Sequence, residues 1–312
     1  MTISADIEKA ADFLKEGKLV AFPTETVYGL GGNALSDAAV AAIYAAKERP
    51  QFNPLIVHVS SLEEAKKYAE FNDHALALAK KFWPGPLTLV LPRRKDCMLS
   101  LLVSAGMDTV AIRMPAHPVA QKLLAAAQLP IAAPSANRSG RISPTEAAHV
   151  REELSGRVAM ILDGGPCEVG IESTIVDCTG DTPEILRPGG LVIPAKAGIH
   201  SQSDFCLREN GGIKAPGMLA SHYAPSKPLR LHATEAKPGE ALLAFGANVP
   251  KAAMVENLSL RGDLQEAAAN LFRMLRRLDA SAAISIAAMP VPEEGLGIAI
   301  NDRLKRAAAP RH

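Results

Sequence analysis

At 312 residues, with 34 Lys+Arg against 33 Asp+Glu and a formal charge of +1, the chain is long enough for two domains and has no global basic field to argue for nucleic acid. Cys97, Cys167, Cys178 and Cys206 have no C-x-x-C spacing, and no secretory h-region follows Met1; this points away from structural zinc and disulfides and toward reduced thiols in a cytoplasm. No apolar run approaches the roughly 18 residues needed to span a membrane.

In chain order, LVAF (19–22), LIVHV (55–59), LTLVL (87–91), TVAIRM (109–114), MILD (160–163) and STIVD (173–177) read as strands bounded by Pro, Gly or Asp. Ala-rich helical stretches separate them, one of them starting near Ser36 and ending at Lys47. Ser61-x-x-Glu64 and Ser143-Pro-Thr-Glu146 have the form of capping boxes. An α/β or α+β layer fold follows. From about 194 to 228, Gly, Ser, Asn and Pro accumulate and periodicity is lost, which marks a linker between a first domain at 1–193 and a second at 229–312. Strands are expected in the second at 241–245, 252–255 and 283–287. Between the last two, Leu264, Ala268, Leu271, Leu275 and Leu278 form one helical stripe, so a β-α-β unit is expected.

The chemistry concentrates in a few words. FPTETVYGLGG (22–32) ends an apolar strand in Thr24, Glu25 and Thr26 and then turns to glycines, whose bare backbone can approach an anion. The glycines alone match no dinucleotide or P-loop fingerprint and would pass as an ordinary turn. Lys47 and Arg49 alone would read as a solvated helix end. Pro50 disfavours helical geometry at Arg49, however, and so turns its guanidinium out toward whatever the first loop binds. A phosphate is the expected ligand. His58 lies within an apolar strand, either as a satisfied core histidine or, if the alternation turns it inward, as a ligand-facing group. The loop APSANRSGRISPTEA (133–147) gathers Ser135, Asn137, Ser139, Ser143, Arg138 and Arg141 ahead of a helix N-terminus, a set suited to an anion; the plainer reading is that Ser143 caps that helix. Arg113 and Arg187 each end a strand, as clamps for carboxylate and phosphate would. Nucleophile-elbow, H-E-x-x-H and kinase signatures are all absent, so an enzyme here works by positioning and charge neutralisation.

Taken together, FPTETVYGLGG, the K-x-R of Lys47 and Arg49, NPLIVHV, the S-x-N of Ser135 and Asn137, ESTIVD and ILRPG resemble the YrdC-type L-threonylcarbamoyladenylate synthases. The words PGM, HYAP and LGIAINDRLKRAA are similar to the longer two-domain members. The resemblance implies a twisted α/β sheet with a basic cleft, then a Rossmann-like domain. The implied reaction joins L-threonine, bicarbonate and ATP into L-threonylcarbamoyl-AMP and pyrophosphate, with Mg²⁺ on the nucleotide and no protein-bound metal or organic cofactor. It is the first step of tRNA threonylcarbamoyladenosine modification, with a downstream tRNA threonylcarbamoyl transferase complex, and tRNA itself, as candidate partners. Carried over by position, the threonine pocket is Thr26, His58, Arg113, the backbone at Ala133, and Ser173. The ATP side is Arg49, Asn53, Thr109, Ser135, Ser143, Arg187 and Tyr223, and the catalytic polar set is Lys47, Arg49, Ser135 and Asn137. The stretch 194–210 matches no word of the family. Two rivals remain: a carbamoyl-transfer domain of hydrogenase-maturation type, disfavoured by the missing C-x-x-C pairs, and an RNA-binding or ribosome-associated module.

Overall fold

The structure is a computed structural model that describes residues 2–50, 53–193 and 221–310. Of the expected linker only 221–228 is therefore described; Cys206, the PGM word and the stretch 194–210 lie outside the described residues.

The chain opens with β1 (Thr2–Ser4), α1 (Ile7–Lys15), β2 (Val20–Phe22), β3 (Gly29–Asn33), α2 (Asp37–Lys47), β4 (Ile56–His58), α3 (Leu62–Ala65), α4 (Asp73–Phe82), β5 (Leu87–Pro92) and β6 (Thr109–Arg113). It continues through α5 (Pro118–Ala127), β7 (Ile131–Ala132), α6 (Ala147–Leu154), β8 (Met160–Leu162), β9 (Thr174–Asp177) and β10 (Glu184–Arg187). These strands form one twisted mixed sheet in the order β1-β8-β2-β3-β7-β4-β6-β5-β9-β10. β11 (Leu229–Arg230), β12 (Glu240–Ala244), β13 (Val255–Asn257), α7 (Leu264–Ala280), β14 (Ser285–Ala288) and α8 (Leu296–Ala308) build the second body. Its sheet is parallel throughout, in the order β11-β14-β12-β13. The architecture is the mixed α/β fold expected.

The predicted strands of the first body appear within a residue or two, because apolar runs such as Leu-Ile-Val and Leu-Thr-Leu-Val are buried on both faces. β3 departs from expectation. Its Gly-Leu-Gly-Gly-Asn is a strand paired between β2 and β7, where a ligand loop was expected. A Cβ on Gly31 would lie 2.9 Å from both Ile131 and Phe22, so glycine is needed there to let neighbouring side chains close over the strand. Strand β13 begins three residues later than expected, at Val255, and β12 stands between β13 and β14, so α7 carries the chain across an intervening strand.

Of the two expected capping boxes, one half-forms. Ser61 caps α3 by accepting from Glu64 N at 3.1 Å, while the Glu64 carboxylate turns to the Ser60 backbone N–H and hydroxyl. Ser143 does not cap α6 at all. That helix begins at Ala147 with no side-chain cap on Glu146, and Ser143 Oγ instead donates to Glu172 at 2.5 Å. Because the helix starts four residues beyond Ser143, with Glu146 in the cap position, the serine is not placed to accept from its first N–H groups, and its proton goes to the buried carboxylate.

Helix α7 buries Ala268, Leu271, Leu275 and Leu278 as the stripe required, and packs against the first body as well as its own sheet. The approach is close: Gly170, at φ +74°, would place a Cβ 2.5 Å from the Ala268 carbonyl oxygen. Arg276 reaches across to Glu153 at 3.2 Å and to the Ile142 carbonyl. The segment after 220 is pinned too, since Ser226 Oγ donates to Asp279 at 2.7 Å and the Ala224 N–H to the Gly140 carbonyl at 2.8 Å.

Candidate active site

A cleft enclosing ≈ 530 Å³, open solvent included, lies between the β2–β3 connection, β4, the loop after β7, the ends of β9 and β10, and His222-Tyr223. Each wall has a local cause.

Thr24 organises the first wall. Its Oγ1 accepts from the Thr26 and Val27 N–H groups, each at 3.2 Å, and donates to the Val27 carbonyl at 2.6 Å, closing a tight turn after β2. With that proton committed, Thr26 donates to Thr24 at 2.8 Å and accepts from Arg113 Nη1 at 2.9 Å. Arg113, at the end of β6, also meets Glu25 Oε1 at 2.5 Å through Nη2, and both side chains are buried. His58, one strand over, pairs in register with Arg113. Burial, reinforced by the Arg113 charge, depresses its pKa to about 3, so the ring is neutral at physiological pH. Thr26, His58, Arg113, Ala133 and Ser173 all border the cleft.

The second wall is cationic. Helix α2 starts at a Ser36 cap and stops when Glu48 turns left-handed at φ 53°, which sends Arg49 inward. Arg49 is 7% exposed and, among the described residues, its guanidinium donates to the carbonyls of Asn53 and Pro54, at 3.2 and 2.9 Å. Among the described residues it forms no ion pair, and burial lowers its pKa to about 10, still charged at neutral pH. Arg187 holds the Ser173 carbonyl at 2.9 Å. Tyr223 stacks on Phe272 at 5.7 Å with an unpartnered hydroxyl, and both amide atoms of the fully buried Asn53 also lack partners among the described residues. Buried polar groups of this kind ordinarily have a hydrogen-bond partner.

Other expected residues stand behind the cleft. Lys47 is buried with Nζ 2.5 Å from the carbonyls of Ser135 and Asn137, and Asn137 Nδ2 donates to the carbonyls of Arg138 and Arg141. The pair buttresses the loop that presents Ser135 and does not itself border the cleft. Burial, with Arg49 adding to it, holds the Lys47 ammonium well below its ordinary range. Ser143 is likewise behind the wall, on Glu172. Thr109 opens β6 opposite Pro92, four residues and so about 13 Å of strand from Arg113.

The sequence reading had no role for Glu172 or His222, which border the cleft, or for Arg303, and it grouped Glu25 with Thr24 and Thr26 at a ligand wall; Glu25 and Arg303 instead hold their neighbours in place. Glu172 and His222 sat inside quoted words, ESTIVD and HYAP; their burial is what marks them now. Among the described residues no cluster of three or more His, Cys, Asp or Glu is arranged to hold a metal, and no helix is long and apolar enough to cross a membrane.

Residues 12–189 match the Sua5–YciO–YrdC family model, described as telomere recombination, and residues 184–309 match the threonylcarbamoyl-AMP synthase C-terminal domain. A threonylcarbamoyl-AMP synthase of Pyrococcus abyssi is 43% identical over 98% of this chain and 94% of its own. One from Bacillus subtilis is 43% identical over 99% and 95%, and one from Schizosaccharomyces pombe 36% identical over 97% and 88%. The crystal structure of P. abyssi Sua5 complexed with L-threonine superposes with a TM-score of 0.90 at 41% identity, covering 99% of this chain and 97% of that one. Escherichia coli YciO gives 0.56 at 25% identity, covering 64% and 98%.

Proposed function

The chain belongs to the Sua5–YciO–YrdC family in its long two-domain form, and on that basis we propose that it is a threonylcarbamoyl-AMP synthase, a nucleotidyltransferase that joins L-threonine, bicarbonate and ATP and releases pyrophosphate. The observation that carries the reading is the division of the cleft into two unlike halves. Around Arg113 lie Thr26, neutral His58 and Ser173, a set that suits an amino acid: a cation for its carboxylate, with hydroxyl and imidazole groups for its amine and side chain. Around Arg49 lie Arg187 and Tyr223, buried cations and an open hydroxyl that suit a nucleotide, while Asn53 stands behind Arg49 and does not itself border the cleft.

The chemistry follows from this placement. The threonine amine takes up carbon dioxide or bicarbonate as a carbamate, and a carbamate oxygen attacks the α-phosphorus while pyrophosphate leaves. Negative charge builds on oxygen at each stage. Arg49 and Arg187, already desolvated and fixed by carbonyls, meet that charge without reorganising. Lys47 and Asn137 act one step back, holding the loop of Ser135. Mg²⁺ arrives on the triphosphate as part of the substrate. The product is a mixed anhydride, and in this reading it passes in the cytoplasm to a tRNA threonylcarbamoyl transferase complex.

Purified protein with ATP, Mg²⁺, bicarbonate and L-threonine should release pyrophosphate and form a threonine-containing adenylate, both dependent on threonine. Release of ADP and phosphate, or turnover indifferent to threonine, would overturn the assignment.

A further inference from the structure

The cleft contains a carboxylate for which the proposed reaction has no use. Glu172 borders it, 7% exposed, where it would confront the negative charge of a triphosphate. Its ion-pair partner comes from 131 residues further along the chain: Arg303, on α8 of the second body, donates from Nε to Glu172 Oε2 at 2.8 Å. Ser143 occupies the other oxygen at 2.5 Å. Arg303 is 1% exposed, is fixed through Nη1 to the Pro188 carbonyl at 3.0 Å and to Asp302 at 2.7 Å, and lies 5.1 Å from the centre of the Tyr223 ring.

We propose that Arg303 is a positioning residue for the nucleotide side of the cleft. Acting through Glu172, it cancels that carboxylate's charge and fixes its direction, so that a triphosphate meets Arg49 and Arg187 without an opposing anion. The inference rests on the synthase reading of the cleft. It gives the second body a defined part in the chemistry of the first. Without Arg303, Glu172 keeps Ser143 and the charge of Arg187 beside it, so its uncompensated charge would oppose ATP and draw on the very cation meant to receive it, with less effect on threonine.

The test is pyrophosphate release by the full chain, with separate KM values for ATP and threonine and a thermal melt of each variant. Arg303→Met should raise the ATP KM roughly tenfold or more and move the threonine KM by less than about threefold. Adding Glu172→Gln to it should bring the ATP KM back to within about threefold of Glu172→Gln alone, since a neutral partner needs no counter-charge. Arg303→Lys, which keeps the charge, should lie closer to wild type than Arg303→Met. If Arg303→Met alone does not fold, the double variant and Arg303→Lys decide by the same comparison. An unchanged ATP KM in Arg303→Met, equal losses for both substrates, or a double variant no better than the single would overturn the proposal. A wild type that releases no pyrophosphate fails the synthase reading, whereas an active wild type indifferent to Arg303 fails this one.

Discussion

The Arg113 guanidinium lies 2.5 Å from the Glu25 carboxylate with both side chains buried, so the arginine proposed to receive a substrate carboxylate is already held by one from the protein. Glu25 is fixed in turn by accepting from the Ala116 N–H at 3.0 Å. Arg113 therefore meets its ligand preoriented, and its removal has two separable effects.

Arg113→Ala should weaken threonine binding by about 2 to 4 kcal/mol while ATP affinity changes little. It should also destabilise the fold by about 3 to 5 kcal/mol, because Glu25 is left as an unpaired buried charge. Arg113→Ala with Glu25→Gln should regain much of that stability and none of the threonine affinity. Urea unfolding and calorimetric titration measure the two effects, and recovery of both together would show that the affinity loss was only a folding defect. Arg49→Ala should show the reverse ligand preference.

Tyr223→Phe keeps the stacking on Phe272 and deletes a buried hydroxyl that has no partner among the described residues. Stability should stay within about 0.5 kcal/mol of wild type or rise, while ATP affinity falls by about 1 kcal/mol as the nucleotide loses a hydrogen bond. A thermal melt and an ATP titration check this. Equal ATP affinity in the two proteins would leave Tyr223 a packing residue only.

Acid should destabilise the protein over a defined window. Burial, aided by Arg113, holds His58 at about 3; burial, aided by Arg276, Arg273 and Arg277, holds His149 at about 4; and burial keeps His222 well below its ordinary value. In the unfolded chain these rings take up protons near pH 6.5, so below that pH the unfolded state binds more protons than the folded one, and stability falls as pH drops toward about 4. Each ring contributes a loss of at most about 1.4 kcal/mol per pH unit, reached once the unfolded ring is fully protonated, and about half of that near pH 6.5. Melting temperatures from pH 7 to pH 5 should fall accordingly, with a shallower slope in His149→Gln. Parallel slopes would clear His149 of any part.

Gly170→Ala should disturb the seam between the two bodies. Its added methyl would meet the backbone of Ala268 and Ala269 at 2.5 Å, with φ already at +74°. A loss of about 2 kcal/mol or more is expected, with the ATP KM rising more than the threonine KM because Tyr223 and Arg303 arrive from that side. Gly156, at φ +79° with open space around it, is the control, and there alanine should cost only about 1 kcal/mol of backbone strain. Equal effects at the two glycines would mean that the seam itself is not felt.

Strands buried on both faces were legible because their sequences are apolar throughout, and the helix of Leu264 to Leu278 because its stripe repeats every turn. The Gly29 strand was not, since glycine has no side chain to show a period and its place comes from Phe22 and Ile131, which pack against it. In the site, Arg49, Arg113 and Arg187 could be found because charged groups at strand and helix ends are conspicuous. What Lys47 and Ser143 do could not be read. Each is a polar residue whose partner lies far away in sequence, the carbonyls at Ser135 and Asn137 for one and Glu172 for the other. Local spacing made Ser143 a helix cap, whereas the helix starts later, at Ala147, and only the assembled interior shows the carboxylate to which the hydroxyl donates.

The pairing of β1 with β8, Thr2 beside Met160, also governs how the protein comes into being at the ribosome. Strand β8 lies between β1 and β2, so both early strands wait with unpaired edges until residue 160 emerges. At common synthesis speeds that is on the order of ten to thirty seconds of exposed strand edge, long enough for a nascent chain to need shielding from its neighbours. Tyr223 and Arg303 follow later still. A ribosome-bound chain can thus complete its large sheet, which ends at Arg187, before it possesses a finished cleft.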